Sequence, residues 1–294
     1  MSHTPRTVGE ALRAAAQRLR VSGSRSPRLD AELLLAAALG VDRTELFRAP
    51  ERELGGGEAE RFASYLRRRE AREPVAYIRG RRAFRTIELD VTPAVLIPRP
   101  ETETLVDVAL EALAAGGAAE PLVLDIGTGS GCIALALAAE EPFVRVVAVD
   151  VDPAAAEVAL GNASRLGLDG RVEVLVSDLC AGLPPGQRYD LIVSNPPYVA
   201  AAEYERLEPN VREYEPRLAL HAGADGLDVY RRLIPAAAER LRPGGALAVE
   251  VGAGQAAAVA ALFAATGAFA PAAEHADLAG IARVLCARRR EAAG

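Results

Sequence analysis

The sequence of 294 residues has no tryptophan, a single methionine and no lysine, so all 34 basic side chains are arginine. With alanine abundant, that skew is the mark of a GC-rich coding genome and carries no chemistry. Cysteine is scarce: Cys132, Cys180 and Cys286 are odd in number and far apart, matching neither a disulfide framework nor a paired-cysteine metal site. His3, His221 and His275 are equally scattered, so no metal is expected. The N-terminus, "MSHTPRTVGEALRAAAQRLR", lacks the apolar core of a signal peptide. The longest nearly uncharged run, 251–273, is broken by glycines, Gln255 and Pro271, which suits a small-residue helix better than a membrane span. An excess of positive charge is missing too. The net charge of −6 offers a polyanion no general attraction. The two dense basic runs, 67–72 and 288–290, read as a solvated helix face and a frayed terminus. A reducing cytoplasm, no membrane and no direct nucleic-acid partner are the expectation.

What is present is an apolar half of the chain, enough for a sizeable core and for two domains. Residues 1–75 read as a helical bundle. Val8, Leu12, Ala15 and Leu19 recur at helical spacing, Ser26-Pro27 supplies a cap and a first-turn proline, and Gly40 stops the second run. Asp42 with Glu45 resembles a capping box for a short third helix, and Phe62, Tyr65 and Leu66 mark a fourth. Between 76 and 98, "AFRTIELDV" alternates as strands do, which predicts a hairpin linker. From Pro121 onward, short strands rich in valine, leucine and isoleucine alternate with amphipathic stretches such as 153–166 and 227–241. That pattern predicts a mostly parallel sheet with helices on both faces, in a domain spanning 99–294. The loop from Tyr198 to about Gly226 is long enough to suggest a function.

"DIGTGSG" (125–131) follows the first of these strands and leads into a helix. Its glycines, Gly127, Gly129 and Gly131, allow a tight turn and close approach to a ligand, and the helix start offers free amides. Asp150, nineteen residues after Gly131, ends the next strand where a carboxylate could grip a ribose diol. A dinucleotide site usually reads G-x-G-x-x-G; the spacing here is G-x-G-x-G after an acid, Asp125. That arrangement looks like the class I methyltransferases, which bind S-adenosylmethionine. In such a site Asp178 stands where an acid often meets the adenine amine, with Leu179 lining the pocket.

"SNPPYVA" (194–200) follows the strand "YDLIV". In an open parallel sheet, ligands gather beyond the carboxyl ends of strands, and Asn195 sits at such an end. Pro196 and Pro197 stiffen the backbone, lack N–H groups and leave carbonyl acceptors free. An asparagine oxygen beside a proline carbonyl makes a paired acceptor whose complement is a conjugated NH₂ group. Held in line with a sulfonium methyl, such a nitrogen can be alkylated without a metal. Tyr198 would pack over the substrate and help exclude water.

Asn-Pro-Pro-Tyr resembles the motif of methyltransferases acting on adenine amines or on glutamine side chains. "VLIPRPETETLVD" (95–107), "EPVAYIRG" (73–80), "LEPNVREYEPRLALHAGADGLDVYRRLI" (207–234) and "LRPGGALAVEVGAGQ" (241–255) narrow this. With the helical N-terminus, they resemble the release factor glutamine methyltransferases, the PrmC/HemK family, over nearly the whole chain. The resemblance implies a Rossmann-like class I domain with a seven-stranded sheet and an N-terminal bundle that engages the release factor. It also implies methylation of the glutamine in the Gly-Gly-Gln tip of class 1 release factors, leaving S-adenosylhomocysteine. Gly127, Thr128, Gly129, Ser130, Gly131, Asp150, Asp178, Leu179 and Asn195 would surround the cofactor. Asn195, Pro196, Pro197 and Tyr198 would hold the glutamine, with Arg99 and Glu101 closing the site. A monomer is expected. "DLAGIAR" (277–283) departs from the family by Ile281-Ala282. A nucleic-acid adenine methyltransferase and a non-catalytic binding module are the rivals; the acidic charge and the intact loop argue against them in turn.

Overall fold

The structure, a computed structural model, describes residues 7–291; His3 lies outside them. The chain divides into two compact units, Met1–Arg81 with Glu208–Tyr214, and Arg82–Leu207 with Glu215–Gly294.

The first unit is helical. Helix α1 (Val8–Val21) opens on a capping box: Thr7 accepts from the Glu10 amide and Glu10 accepts from the Thr7 amide. Its buried stripe is Val8, Ala11, Ala15 and Leu19. Helix α2 (Pro27–Leu39) begins on the expected proline and ends at Gly40, whose φ of 67° suits a residue without Cβ. Ser26 does not cap it. Its hydroxyl donates instead to Asp30 Oδ1 at 2.9 Å, and Asp30 also accepts from Arg69 Nε at 2.8 Å. The expected capping box at Asp42 and Glu45 is absent as well. Helix α3 (Glu45–Arg48) starts at Glu45 itself, too early in the helix for that side chain to reach back to a cap.

Helix α4 (Gly56–Glu70) buries Phe62 and Leu66, and α5 (Val75–Arg79) ends at Gly80 with φ 74°. The basic run at 67–72 is not simply a solvated face, because Arg68 pairs with Glu73 and the largely buried Arg69 with Asp30. The returning segment is tied in by Tyr214, whose hydroxyl donates to the Ala71 carbonyl at 2.6 Å, and by Glu208 with Arg25.

In the second unit, apart from the first residue of β1, β1 (Arg81–Phe84) and β2 (Ile87–Asp90) form a separate two-stranded sheet. Then come α6 (Glu103–Gly116), β3 (Leu122–Ile126), α7 (Cys132–Glu140), β4 (Arg145–Asp150), α8 (Pro153–Arg165), β5 (Val172–Val176) and β6 (Tyr189–Ser194). The short α9 (Ala201–Tyr204) precedes α10 (Pro209–Arg212), which belongs to the first unit. Helix α11 (Asp228–Arg240), β7 (Leu241–Glu250), α12 (Ala256–Ala265), β8 (Ala273–Ala276) and β9 (Ala282–Arg288) complete the chain. The seven-stranded sheet has the order β5-β4-β3-β6-β7-β9-β8, with β9 antiparallel to both its neighbours and the other pairs parallel.

One face of this sheet is covered by α6, α7 and the hairpin, the other by α11 and α12. Phe84 and Leu89 are buried in the first of these cores, so the hairpin contributes to it at roughly 2 kcal/mol per large apolar side chain. The arginines at 288–290 are not frayed. Arg288, Arg289 and Arg290 donate to the carbonyls of Gly244, Leu241 and Phe269. From β3 the chain moves outward through β4 and β5, then returns to build β6 on the other side. The crevice at that reversal is where an open sheet binds ligands.

Candidate active site

Register brings the strand ends together. Ile126 on β3 lies opposite Val149 on β4 and Ser194 on β6; Asp150 faces Val176, and Ser194 faces Val249. Ser194 reinforces the β3–β6 seam by donating to the Ile126 carbonyl at 2.7 Å. The residues just past those ends therefore share one edge. A cavity of ≈ 280 Å³ opens there, with Gly127–Ser130, Asp150, Asp178-Leu179 and Asn195–Pro197 in its wall.

The glycine loop is built to leave space. Gly127, Gly129 and Gly131 have φ of 74°, 55° and 83°. The amides of Gly127 and Thr128 donate to the Val149 carbonyl at 2.8 and 3.0 Å. A Cβ on Gly131 would come within 2.9 Å of Leu135 Cδ1, whereas one on Gly127 or Gly129 would meet no protein atom within 4 Å. Both of the latter line the cavity, so their missing side chains leave room for a ligand against the backbone. Beneath the loop, Asp125 Oδ2 accepts from Thr128 Oγ1 at 2.6 Å and from the Ala134 amide at 3.2 Å. Burial pushes the Asp125 carboxyl up to about 7 against those two bonds, and the charge of Asp150 adds to the rise.

Asp150 accepts from the Gly129 amide at 2.9 Å through Oδ2 and from the Asp152 amide at 3.0 Å through Oδ1. Each oxygen keeps acceptor capacity, as a diol requires. Burial raises this carboxyl above its ordinary range, with the backbone bonds opposing. Asp178 is exposed and pairs with Arg232 at 2.6 Å on the rim. Leu179 has φ 51°, unusual for a branched side chain; its carbonyl is held by the Ser177 hydroxyl at 2.9 Å. These features fit an adenosyl group carrying an amino acid: open glycine backbone, a half-buried acid with free lone pairs, and an apolar wall.

Asn195 donates from Nδ2 to Thr102 Oγ1 at 3.1 Å. Pro196 and Pro197 line the cavity with it, while Tyr198 and Glu101 are not in its wall. Tyr198 stands beside it, its carbonyl accepting from Gln255 Nε2 at 3.0 Å and its phenol pushed up to about 12 chiefly by burial. Arg99 lines the cavity and is tied to the buried Glu215, which also accepts from the Ile97 amide at 3.1 Å. Glu101 is near enough to Tyr198, Glu250 and Arg283 to act on their charges.

Residues 10–80 match the family described as the PrmC N-terminal domain, and residues 102–208 the methyltransferase small domain. Release factor glutamine methyltransferases of Bradyrhizobium diazoefficiens and Moorella thermoacetica are 46% and 45% identical to this chain. Each alignment covers 97% of it, and 96% and 99% of the relatives' own lengths. The chain belongs to the release factor glutamine methyltransferase family. It is a methyltransferase with the class I fold. Among solved structures, a T. thermophilus 16S rRNA N2 G1207 methyltransferase in complex with AdoMet and guanosine is similar, at a TM-score of 0.53 and 25% identity. That likeness covers 71% of this chain and 50% of the other.

For this family member, several residues beyond the predicted set also shape the site. Asn162 on α8 bonds both the Asp90 backbone and the Ser130 carbonyl, fastening the hairpin to the glycine loop. Asp277 accepts from the amides of Ala279 and Ile281 and pairs with Arg283 at 2.9 Å, so the departing "DLAGIAR" segment forms an ordered turn. Thr102 and Glu250 are each 1% exposed and lie against Asn195. A polar residue inside otherwise apolar "ALAVEV" was the one sequence clue to Glu250.

Proposed function

We propose that this protein methylates the side-chain amide nitrogen of the glutamine in the Gly-Gly-Gln tip of bacterial class 1 release factors. One observation carries most of the weight: Asn195–Pro197 and the glycine loop with Asp150 face a single cavity from adjoining strand ends. Gly127–Gly131, Asp150, Asp178, Leu179 and Asn195 would hold S-adenosylmethionine, which when bound supplies an activated methyl on a sulfonium. The Asn195 oxygen and the Pro196 carbonyl would accept the two N–H bonds of the glutamine and fix its nitrogen for in-line attack. Holding the nitrogen by two acceptors favours its pyramidal, positive form over the flat amide. Carbon–nitrogen bond formation would be matched by loss of the donor's carbon–sulfur bond, and one amide proton would leave to solvent. Tyr198 limits water, and the Arg99–Glu215 pair with Glu101 shapes the entrance.

Residues 1–75 would engage the release factor, 76–98 would connect, and 99–294 would catalyse. The enzyme would act as a monomer in the cytoplasm, without direct nucleic-acid contact. The test supplies labelled S-adenosylmethionine with a release factor, its Gln→Glu tip variant, DNA and ribosomes in parallel. Label confined to the unaltered release factor is the expected result. Labelled DNA or ribosomes with an unlabelled factor would overturn the assignment.

A further inference from the structure

Thr102 has one hydroxyl proton and two polar neighbours, Asn195 and Glu250. Its oxygen accepts from Asn195 Nδ2 at 3.1 Å, so its proton is free for another group. That group is the Glu250 carboxyl, which interacts with the side chains of both Thr102 and Asn195 at the end of β7. Among the described residues, Glu250 Oε2 has no hydrogen-bond partner of its own. An ionised carboxylate can only accept. Facing one, Thr102 donates its proton to Glu250, the Asn195 NH₂ turns inward, and the amide oxygen is left for the cavity. A protonated carboxyl can donate instead, and the amide then loses its reason to keep that direction. An inverted Asn195 would confront a substrate NH₂ with donors.

We infer that Glu250, working through Thr102, fixes the orientation of the Asn195 amide, which makes both of them positioning residues for methyl transfer. The kinetic part of the test rests on the substrate reading given above; the orientation itself does not. Other groups facing Glu250 are Glu101 before α6, Arg283 on β9, Tyr198 after β6, Cys132 on α7 and Tyr230 on α11. Tyr230 donates to the Glu250 backbone carbonyl at 2.7 Å. Burial pushes the Glu250 carboxyl up to about 7, with Thr102, Arg283 and Asn195 opposing and Glu101 reinforcing. The ionised, orienting form therefore grows about tenfold between pH 6 and pH 8.

The experiment compares wild type with Thr102→Val, Thr102→Ser and Glu250→Gln. Turnover on a release factor is measured from pH 6 to pH 8, and S-adenosylhomocysteine affinity by calorimetry. The Asn195 side-chain NH₂ is followed by NMR, its signal identified by its loss in Asn195→Asp. We expect Thr102→Val to lower kcat about 10- to 100-fold with cofactor affinity nearly unchanged, as loss of an orienting partner does elsewhere, and Thr102→Ser to restore it. The wild-type rise of about tenfold in rate across pH 7 should vanish in Glu250→Gln. The Asn195 NH₂ signal should titrate near pH 7 in wild type and not in that variant. Full kcat in Thr102→Val, or an Asn195 signal that ignores pH in wild type, would overturn the inference. An inactive wild type would defeat the substrate reading instead, and the NMR titration would still decide this one.

Discussion

A buried glutamate kept for its charge should cost the fold stability, and Glu250 allows the cost to be worked out. Its carboxyl is pushed by burial from the ordinary 4.5 to about 7, so the folded state holds a proton that the unfolded chain has already released. The sign follows from linkage: between those two values the folded form binds more protons, and stability falls as pH rises. At about 1.4 kcal/mol per pH unit, the full penalty above pH 7 is about 3 kcal/mol. Most of it accrues between pH 5 and pH 8. Glu250→Gln has nearly the same volume and no titration. Relative to this variant, wild type should therefore lose about 2 to 3 kcal/mol on going from pH 5 to pH 8. Any fixed difference between a glutamine and a neutral glutamate cancels in that comparison. So do Asp125 and Asp150, which titrate in both proteins.

The chain has no tryptophan, so urea unfolding followed by far-UV circular dichroism at pH 5, 6, 7 and 8 is the suitable assay. Parallel stability curves for the two proteins would show that Glu250 titrates as an ordinary glutamate. Burial would then not be what raises its carboxyl. The same variant should be the poorer catalyst at pH 8, so stability and turnover should move in opposite directions.

Two backbone positions give sharper steric tests. In Gly226→Ala, at φ 78°, the new Cβ would clash with the Tyr198 carbonyl oxygen and sit 2.6 Å from Gln255 Nε2. It should destabilise the fold by about 2 kcal/mol or more and reduce turnover at least about tenfold; unchanged denaturation and rate would refute the close approach. Gly129→Ala adds a methyl that meets no protein atom. It should cost only about 1 kcal/mol of stability but weaken S-adenosylhomocysteine binding severely, which calorimetry reads directly.

The legible parts of this protein were those written in local sequence. The glycine loop, the hydrophobic strands and Asn-Pro-Pro-Tyr each state their geometry within a few residues, because turns and periodicity are local properties. The capping at Ser26 and at Asp42-Glu45 misled for a tertiary reason. In the first case Asp30, answering to Arg69 thirty-nine residues away, takes the hydroxyl that a free helix would use. The second fails because α3 starts later than its capping pattern suggests. The run at 288–290 looked like a loose end because arginine is usually solvated, yet neighbouring segments offer carbonyls to all three side chains. The roles of Thr102 and Glu250 were hidden for the same reason. Their meaning arises only when register brings residues ninety-three and fifty-five positions away to Asn195.

That register also explains why acidic groups crowd this edge. Asp125, Asp150 and Glu250 close three parallel strands of one mixed sheet or stand at their ends, and burial raises all three carboxyls. Stability alone would favour apolar replacements, since a buried charge without a close partner is unfavourable. The three do not share one task. Asp125 braces the glycine loop from below, Asp150 keeps free lone pairs toward the cavity, and Glu250 stands against the amide at Asn195. Each dictates where donors point: Thr128 and Ala134 at the first, Gly129 and Asp152 at the second, Thr102 and Asn195 at the third. A carboxylate suits this work because it accepts and never donates, so the polarity of every bond around it is set. In such a site the destabilising charge and the fixed hydrogen-bond direction are the same physical fact.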